Sequence, residues 1–330
     1  IHGFGGVDVM DNNIEGTLHT MSEGLLSTGV TSFLPTTLTS SYEQLLAVTE
    51  NIGARYQEAS GAKIRGLYFE GPYFTEKYKG AQNPAYMKDP RMDEFRAWQK
   101  AANGLLNKIA LAPEREGVEE FVRTITDESV TVALGHSNAT YDEAKAAVEA
   151  GASVWVHAYN GMRGLTHREL GMVGAMYELP HTYAELICDG HHVDPKACDI
   201  LLKQKGHEHV ALITDCMTAG GLEDGDYMLG EFPVVVDNGT ARLKSTGNLA
   251  GSILQLKDGL KNVVEWGIAN PHQAVMMASL IPAKSVHIDD VCGQIKEGYD
   301  ADFIVLDKDL ELVATYLDGE KRFEAASSIL

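Results

Sequence analysis

Between Val30 and Cys216 the chain repeats one pattern: a short apolar run, then in most cases a stretch with helical spacing. The runs are "VTSFLPTT", "IRGLYF", "KIALAPE", "VTVALGH", "SVWVHAY", "AELICDG" and "VALITDC". They are nearly continuous in apolar residues rather than alternating. A strand with one solvated face alternates, whereas a strand covered on both faces does not. Seven such runs therefore point to an α/β fold with a parallel sheet wrapped by helices. Tyr42 to Gln57, capped by Ser40 or Ser41, and Met92 to Asn103 read as two of those helices. One more strand, placed before Ile1, would complete the eight of a (β/α)₈ TIM barrel. The expectation is thus a barrel whose first strand is missing from this chain, with a natural protein that extends upstream by several tens of residues.

After Asp215 the pattern changes. Tyr227 to Leu243 reads as a hairpin with "DNGT" (Asp237 to Thr240) as its turn. Helices are expected from Ile253 to Glu265 and from Pro271 to Leu280. Two short strands follow, "ADFIVLD" and "LELVATYLDGEKR". The expected division is a catalytic barrel over 1–245, with 226–245 as a hairpin insertion. The barrel's last helices occupy 246–290, and a small β-sandwich appendage occupies 291–330.

The formal net charge of −20 over 330 residues argues against nucleic acid and anionic membrane surfaces as partners. An anionic substrate would need a local cationic clamp. No apolar run approaches the roughly 20 residues of a membrane helix. Cys188, Cys198, Cys216 and Cys292 lack C-x-x-C spacing and read as reduced thiols, which places the protein in the cytoplasm.

Polar residues recur where the runs end. Glu70 ends one, His136 another, His157 another, Asp189 and His192 follow a fourth, and Asp215 ends a fifth. His2 stands where a first strand would just have ended. In a barrel these ends converge on the face that carries chemistry. A carboxylate buried at a strand end is costly unless its charge is compensated. Carboxylate and imidazole together suit zinc or iron(II), so Glu70 is expected to face a divalent metal shared with His136 and His157. His207 and His209 have His-x-His spacing but precede their strand, which puts them at the opposite face.

In this order "GLYFEGPYF", "GHSNAT", "HAYNGM", "HRELG", "CDGHHVD" and "LITDCM" resemble the N-acetylglucosamine-6-phosphate deacetylases of the amidohydrolase superfamily. The tail "GQIKEGYDADFIVLD" is similar to amidohydrolase tails, so the resemblance spans essentially the whole chain. It implies a metal-dependent amidohydrolase barrel, a homodimer, and hydrolysis of the N-acetyl group to glucosamine 6-phosphate and acetate. Glu70, His136 and His157 match the family's metal ligands, and Asp215 its catalytic acid/base. His192 matches a substrate-contacting histidine. Arg168 matches a phosphate-binding arginine, with Asn160 and Gly161 in the same pocket. Gln82 stands where relatives often carry a sugar-contacting histidine. His2 matches the second histidine of the His-x-His pair in members with two metals. With one imidazole alone, that second site offers too few ligands for tight binding. One or two zinc or iron(II) ions per chain are therefore implied.

Asp215 can accept a proton from water and return it to a leaving amine, work typically worth about 10² to 10⁴ in rate. A deaminase or cyclic amidase on the same scaffold, or an inactive sugar-phosphate-binding remnant, stays open on the sequence.

Overall fold

The computed structural model describes residues 1–11 and 16–326. Seven parallel strands form one curled sheet, a half-barrel. Across the sheet they run Thr36–Thr37, Leu67–Glu70, Leu106–Leu111, Thr131–Leu134, Val154–Trp155, Tyr183–Ile187 and Val210–Ile213. Spatial order equals chain order, and each crossover carries at least one helix. Neighbouring strands joined by helical crossovers must lie parallel. Both faces are covered, so the strands are buried along nearly their whole length, which is why the runs do not alternate.

The two outer strands of the sheet are bridged at one rim by the start of the chain. Thr36 N–H donates to the Ile1 carbonyl at 3.0 Å, and His2 N–H donates to the Cys216 carbonyl at 2.8 Å. His2 is thereby fixed between the ends of the first and seventh strands. Beneath this bridge lies a cavity of about 720 Å³, whose lining includes Thr36, Tyr68, Lys108, Glu185 and Leu212. Lys108 and Glu185 reach across the sheet to form a buried ion pair, with the Lys108 ammonium 4.1 Å from the Tyr68 ring centroid. Each charge is compensated by the other, as burial requires.

The expected strand "VTSFLPTT" is two strands. Ser32–Phe33 pairs with Lys63–Ile64, and Thr36–Thr37 pairs with Tyr68–Phe69. Pro35 lies between them and has no N–H to give to a ladder. The helix expected from Tyr42 to Gln57 runs Tyr42–Arg55 and tightens into a 3₁₀ turn, with Ser41 as its side-chain cap. That expected from Met92 to Asn103 ends at Ala101. The expected hairpin is a three-stranded antiparallel sheet, Gly225–Leu229, Phe232–Asp237 and Thr240–Leu243, which keeps the Asp237–Thr240 turn. Its inward side chains form a small core of their own with Leu38, Met217 and Ala250. The last helices are Leu256–Glu265, Pro271–Ala278 and Leu280–Ser285.

The tail contains three antiparallel strands, Phe303–Leu306, Leu312–Leu317 and Glu320–Glu324, rather than two. Through Asp300 and Asp302 it is tied to Lys63 and Arg65, in the strand Lys63–Ile64 and the link from it to the half-barrel sheet, and Lys63 also reaches Asp318. Among the described residues no helix is long and apolar enough to cross a membrane.

Candidate active site

Side chains from the ends of four sheet strands turn toward one point. Glu70 is the last residue of its strand; His136, His157 and Asp215 each lie two residues beyond theirs. Those three hold backbone φ angles of 44°, 27° and 51°, the left-handed region that residues with a Cβ rarely occupy. Such conformations persist where the surrounding structure imposes them, and they concentrate at functional sites. Each turn sends the side chain over the rim of the sheet instead of along it.

Glu70 is the hub. Its Oε1 lies 3.0 Å from His136 Nε2 and 3.4 Å from His157 Nε2, while its Oε2 lies 2.9 Å from His2 Nε2. His2 Nε2 is also 3.0 Å from Asp215 Oδ1. Two groups of potential metal ligands therefore share one carboxylate: Glu70 with His136 and His157, and Glu70 with His2 and Asp215. His2 is thus not a lone imidazole, as the sequence alone leaves it.

The protons on the three rings are settled by their other nitrogens. His136 Nδ1 faces the Tyr78 carbonyl at 2.9 Å, His157 Nδ1 the Asn160 carbonyl at 3.0 Å, and His2 Nδ1 the Thr36 carbonyl at 3.1 Å. A carbonyl only accepts, so each Nδ1 carries a proton, and each ring in its neutral form aims its Nε2 lone pair at the cluster. His136 and His157 then point lone pairs at one another across 3.0 Å, with Glu70 Oε1 beside both. Three converging acceptors call for positive charge between them. Two imidazole nitrogens and a carboxylate oxygen, each oriented by an outer partner, form a donor set that fits a divalent metal.

The two carboxylates favour positive charge here, whether it is an ion between the ligands or a proton on a ring. Burial opposes a charged ring, but the hydrogen bond and charge of Glu70 outweigh it and push His157 up to about 9. Burial is likewise outweighed at His2, which Glu70 and Asp215 push up to about 10. Burial would raise the carboxyl of Glu70, yet the three histidines hold it well below the usual range. Asp215 is also lowered, burial losing to its hydrogen bond with His2. Both carboxylates are therefore ionised at neutral pH.

The other expected site residues are placed differently. Asn160 holds His157 through its carbonyl and turns its own amide onto the Ala158 carbonyl at 3.2 Å. Gly161 has φ 62° and packs so closely that a Cβ there would stand 2.9 Å from His136 Nδ1. Gln82 is buried and donates from Nε2 to Glu70 Oε1 at 3.1 Å. His192 Nδ1 donates to Asp189 Oδ2 at 2.6 Å. Arg168 sits in an exposed segment and has no ion pair among the described residues.

One residue escaped the sequence reading. Glu114 accepts from Thr75 Oγ1 at 2.6 Å, Ser137 Oγ at 2.6 Å and the Asn138 N–H at 2.7 Å. It clasps the loop after Glu70 to the loop that starts at His136. The signal was present, since Glu114 closes the run "KIALAPE", another carboxylate at a strand end.

Residues 1–326 match the model of the amidohydrolase family. The chain belongs to the amidohydrolase family. Among amidohydrolases it is 40% identical to the N-acetylglucosamine-6-phosphate deacetylase of Vibrio furnissii, over 99% of this chain and 82% of that protein. It is also 40% identical to the N-acetylgalactosamine-6-phosphate deacetylase of Escherichia coli O157:H7, over 97% and 84%. The amidohydrolase fold is shared with a point mutant of the N-acetyl-D-glucosamine-6-phosphate deacetylase of Mycobacterium smegmatis, solved in complex with N-acetyl-D-glucosamine-6-phosphate. That match has a TM-score of 0.91 and 30% identity, and covers 98% of this chain and 84% of the other.

Proposed function

We propose that this amidohydrolase removes the N-acetyl group of N-acetylglucosamine 6-phosphate, giving glucosamine 6-phosphate and acetate. The observation that carries the proposal is the shared position of Glu70 between two ligand groups, one of which contains Asp215. Full-length similarity to sugar-phosphate deacetylases supports the substrate class. In this reading Glu70, His136 and His157 hold one ion, zinc or iron(II), and His2 with Glu70 and Asp215 can hold a second. Such an ion would lower the pKa of its bound water toward about 7 and would polarise the acyl oxygen.

The protein's own groups do the rest. Asp215, ionised and at the rim, takes a proton from water and delivers it to the departing sugar nitrogen. His192, its ring fixed by Asp189, faces the acyl group of the substrate and steadies the developing oxyanion. Arg168 supplies the fork that binds phosphate, the cation an acidic protein needs for an anionic substrate. Asn160 and Gly161 shape the wall between the phosphate site and His157.

The same proposal includes a closed barrel, with one further strand in the gap below Ile1 between Thr36–Thr37 and Val210–Ile213. The cavity in that gap and the bridging of both edges by Ile1 and His2 support it. A cytoplasmic homodimer completes the reading.

The test is product analysis with metal content. Purified protein is given N-acetylglucosamine 6-phosphate and, in parallel, N-acetylgalactosamine 6-phosphate. Acetate release that chelation abolishes and zinc or iron(II) restores supports the proposal. Ammonia release, or activity indifferent to chelation, overturns it. Faster turnover of the galactosamine epimer would reassign the sugar while keeping the chemistry.

A further inference from the structure

Gln82 is only 3% exposed, and both ends of its amide are used. Its Oε1 accepts the Thr39 backbone N–H at 2.8 Å, and its Nε2 donates to Glu70 Oε1 at 3.1 Å. A backbone N–H can only donate, so Thr39 decides which way the amide faces, and the NH₂ end must meet Glu70. The loop is held from the other side as well. Ala81 packs on the core of the three-stranded sheet, a cluster whose members include Leu229 and Val234. Asn83 Nδ2 donates to Glu231 Oε1 on the same sheet. Gln82 N–H closes the loop onto the Lys79 carbonyl at 2.9 Å.

The oxygen that Gln82 holds is the one facing His136 and His157; the other faces His2. A carboxylate free to rotate would not keep one oxygen for each ligand group. We propose that Gln82 is a positioning residue that fixes the rotation of the Glu70 carboxylate, so that Oε1 serves one metal position and Oε2 the other. It is not a sugar contact. The antiparallel sheet over Gly225–Leu243 then has a function: it anchors the loop that carries Gln82. This inference rests on the metal-dependent reading proposed above.

The experiment compares wild type with Gln82→Met, close in volume but without the amide, and with the shorter Gln82→Asn. Zinc affinity is measured on metal-free protein by competition with a chromogenic chelator. Kinetics are measured at saturating zinc, and thermal midpoints on the metal-free forms confirm folding. Removing an outer partner of a metal ligand typically weakens binding about 10- to 100-fold. The expected result is a loss of that size in both variants, with KM for the sugar phosphate within about twofold of wild type. Unchanged zinc affinity in a folded variant, or a raised KM with unchanged affinity, overturns the role and returns Gln82 to the sugar site. A wild type that binds no metal overturns the metal-dependent reading, and this inference with it.

Discussion

Asp215 Oδ1 lies 3.0 Å from His2 Nε2, although 212 residues separate the two along the chain. The contact is held by backbone, because His2 N–H donates to the carbonyl of Cys216, the next residue after Asp215. The proposed base is therefore oriented by the segment that bridges the edges of the sheet. Asp215→Asn should keep the fold and the ion on Glu70, His136 and His157, and should lower kcat by on the order of 10² or more. Steady-state kinetics with metal analysis checks this; near-normal turnover would remove Asp215 from the mechanism.

His2 belongs to only one of the two ligand groups. His2→Ala should empty the position formed with Glu70 and Asp215 and leave the Glu70, His136 and His157 position filled. Elemental analysis of protein loaded with zinc reads this directly as a loss of one ion per chain. Loss of all metal would mean that the two groups do not bind independently.

Arg168 is exposed. Arg168→Ala should weaken N-acetylglucosamine 6-phosphate by roughly tenfold to a hundredfold, the loss of a charged hydrogen bond of about 1.5–3 kcal/mol. Turnover of unphosphorylated N-acetylglucosamine should hardly change. Equal losses on both sugars would show that Arg168 does not hold phosphate.

Glu114 joins the loop after Glu70 to the loop that starts at His136. Glu114→Ala leaves three donors to find other partners. Stability should fall by at least the roughly 1.5–3 kcal/mol of one hydrogen bond to a charged group. Urea unfolding of the metal-free protein measures the change, and a midpoint equal to wild type would show the clasp to be dispensable.

All four cysteines are buried. Burial pushes the Cys216 thiol up to about 12, and the hydrogen bond with Cys198 together with burial pushes Cys188 well above its ordinary value. The thiolate is the reactive form. Native protein at pH 8 should therefore react negligibly with a disulfide reagent at Cys188 and Cys216, and denatured protein should titrate all four. Rapid labelling of Cys188 or Cys216 in the native state, located by peptide mapping, would contradict this.

The apolar runs and the polar residues that end them were legible in the sequence because both are local. A strand buried on two faces must read as "ALITD" or "GLYFE", and a side chain that closes such a run must emerge at the rim. Glu70, His136, His157 and Asp215 could be named on that ground alone. The break at Pro35 was also written locally, in the missing N–H, although the run around it reads as one strand. The third strand of the tail and the extra strand of the insertion were harder, since short exposed strands form through pairing with neighbours rather than through their own pattern.

Only the tertiary structure decided how the site is wired. No spacing tells that one oxygen of Glu70 faces His136 and His157 and the other faces His2, because the rotation of a carboxylate is set by contacts from remote segments. The tautomers of the rings depend on the carbonyls of Thr36, Tyr78 and Asn160, which chain folding brings to each Nδ1. The role of Gln82 depends on a backbone N–H 43 residues away. Composition and periodicity report what each residue prefers; they carry no record of which distant partner completes its hydrogen bonds, and in this site those partners determine where the charge goes.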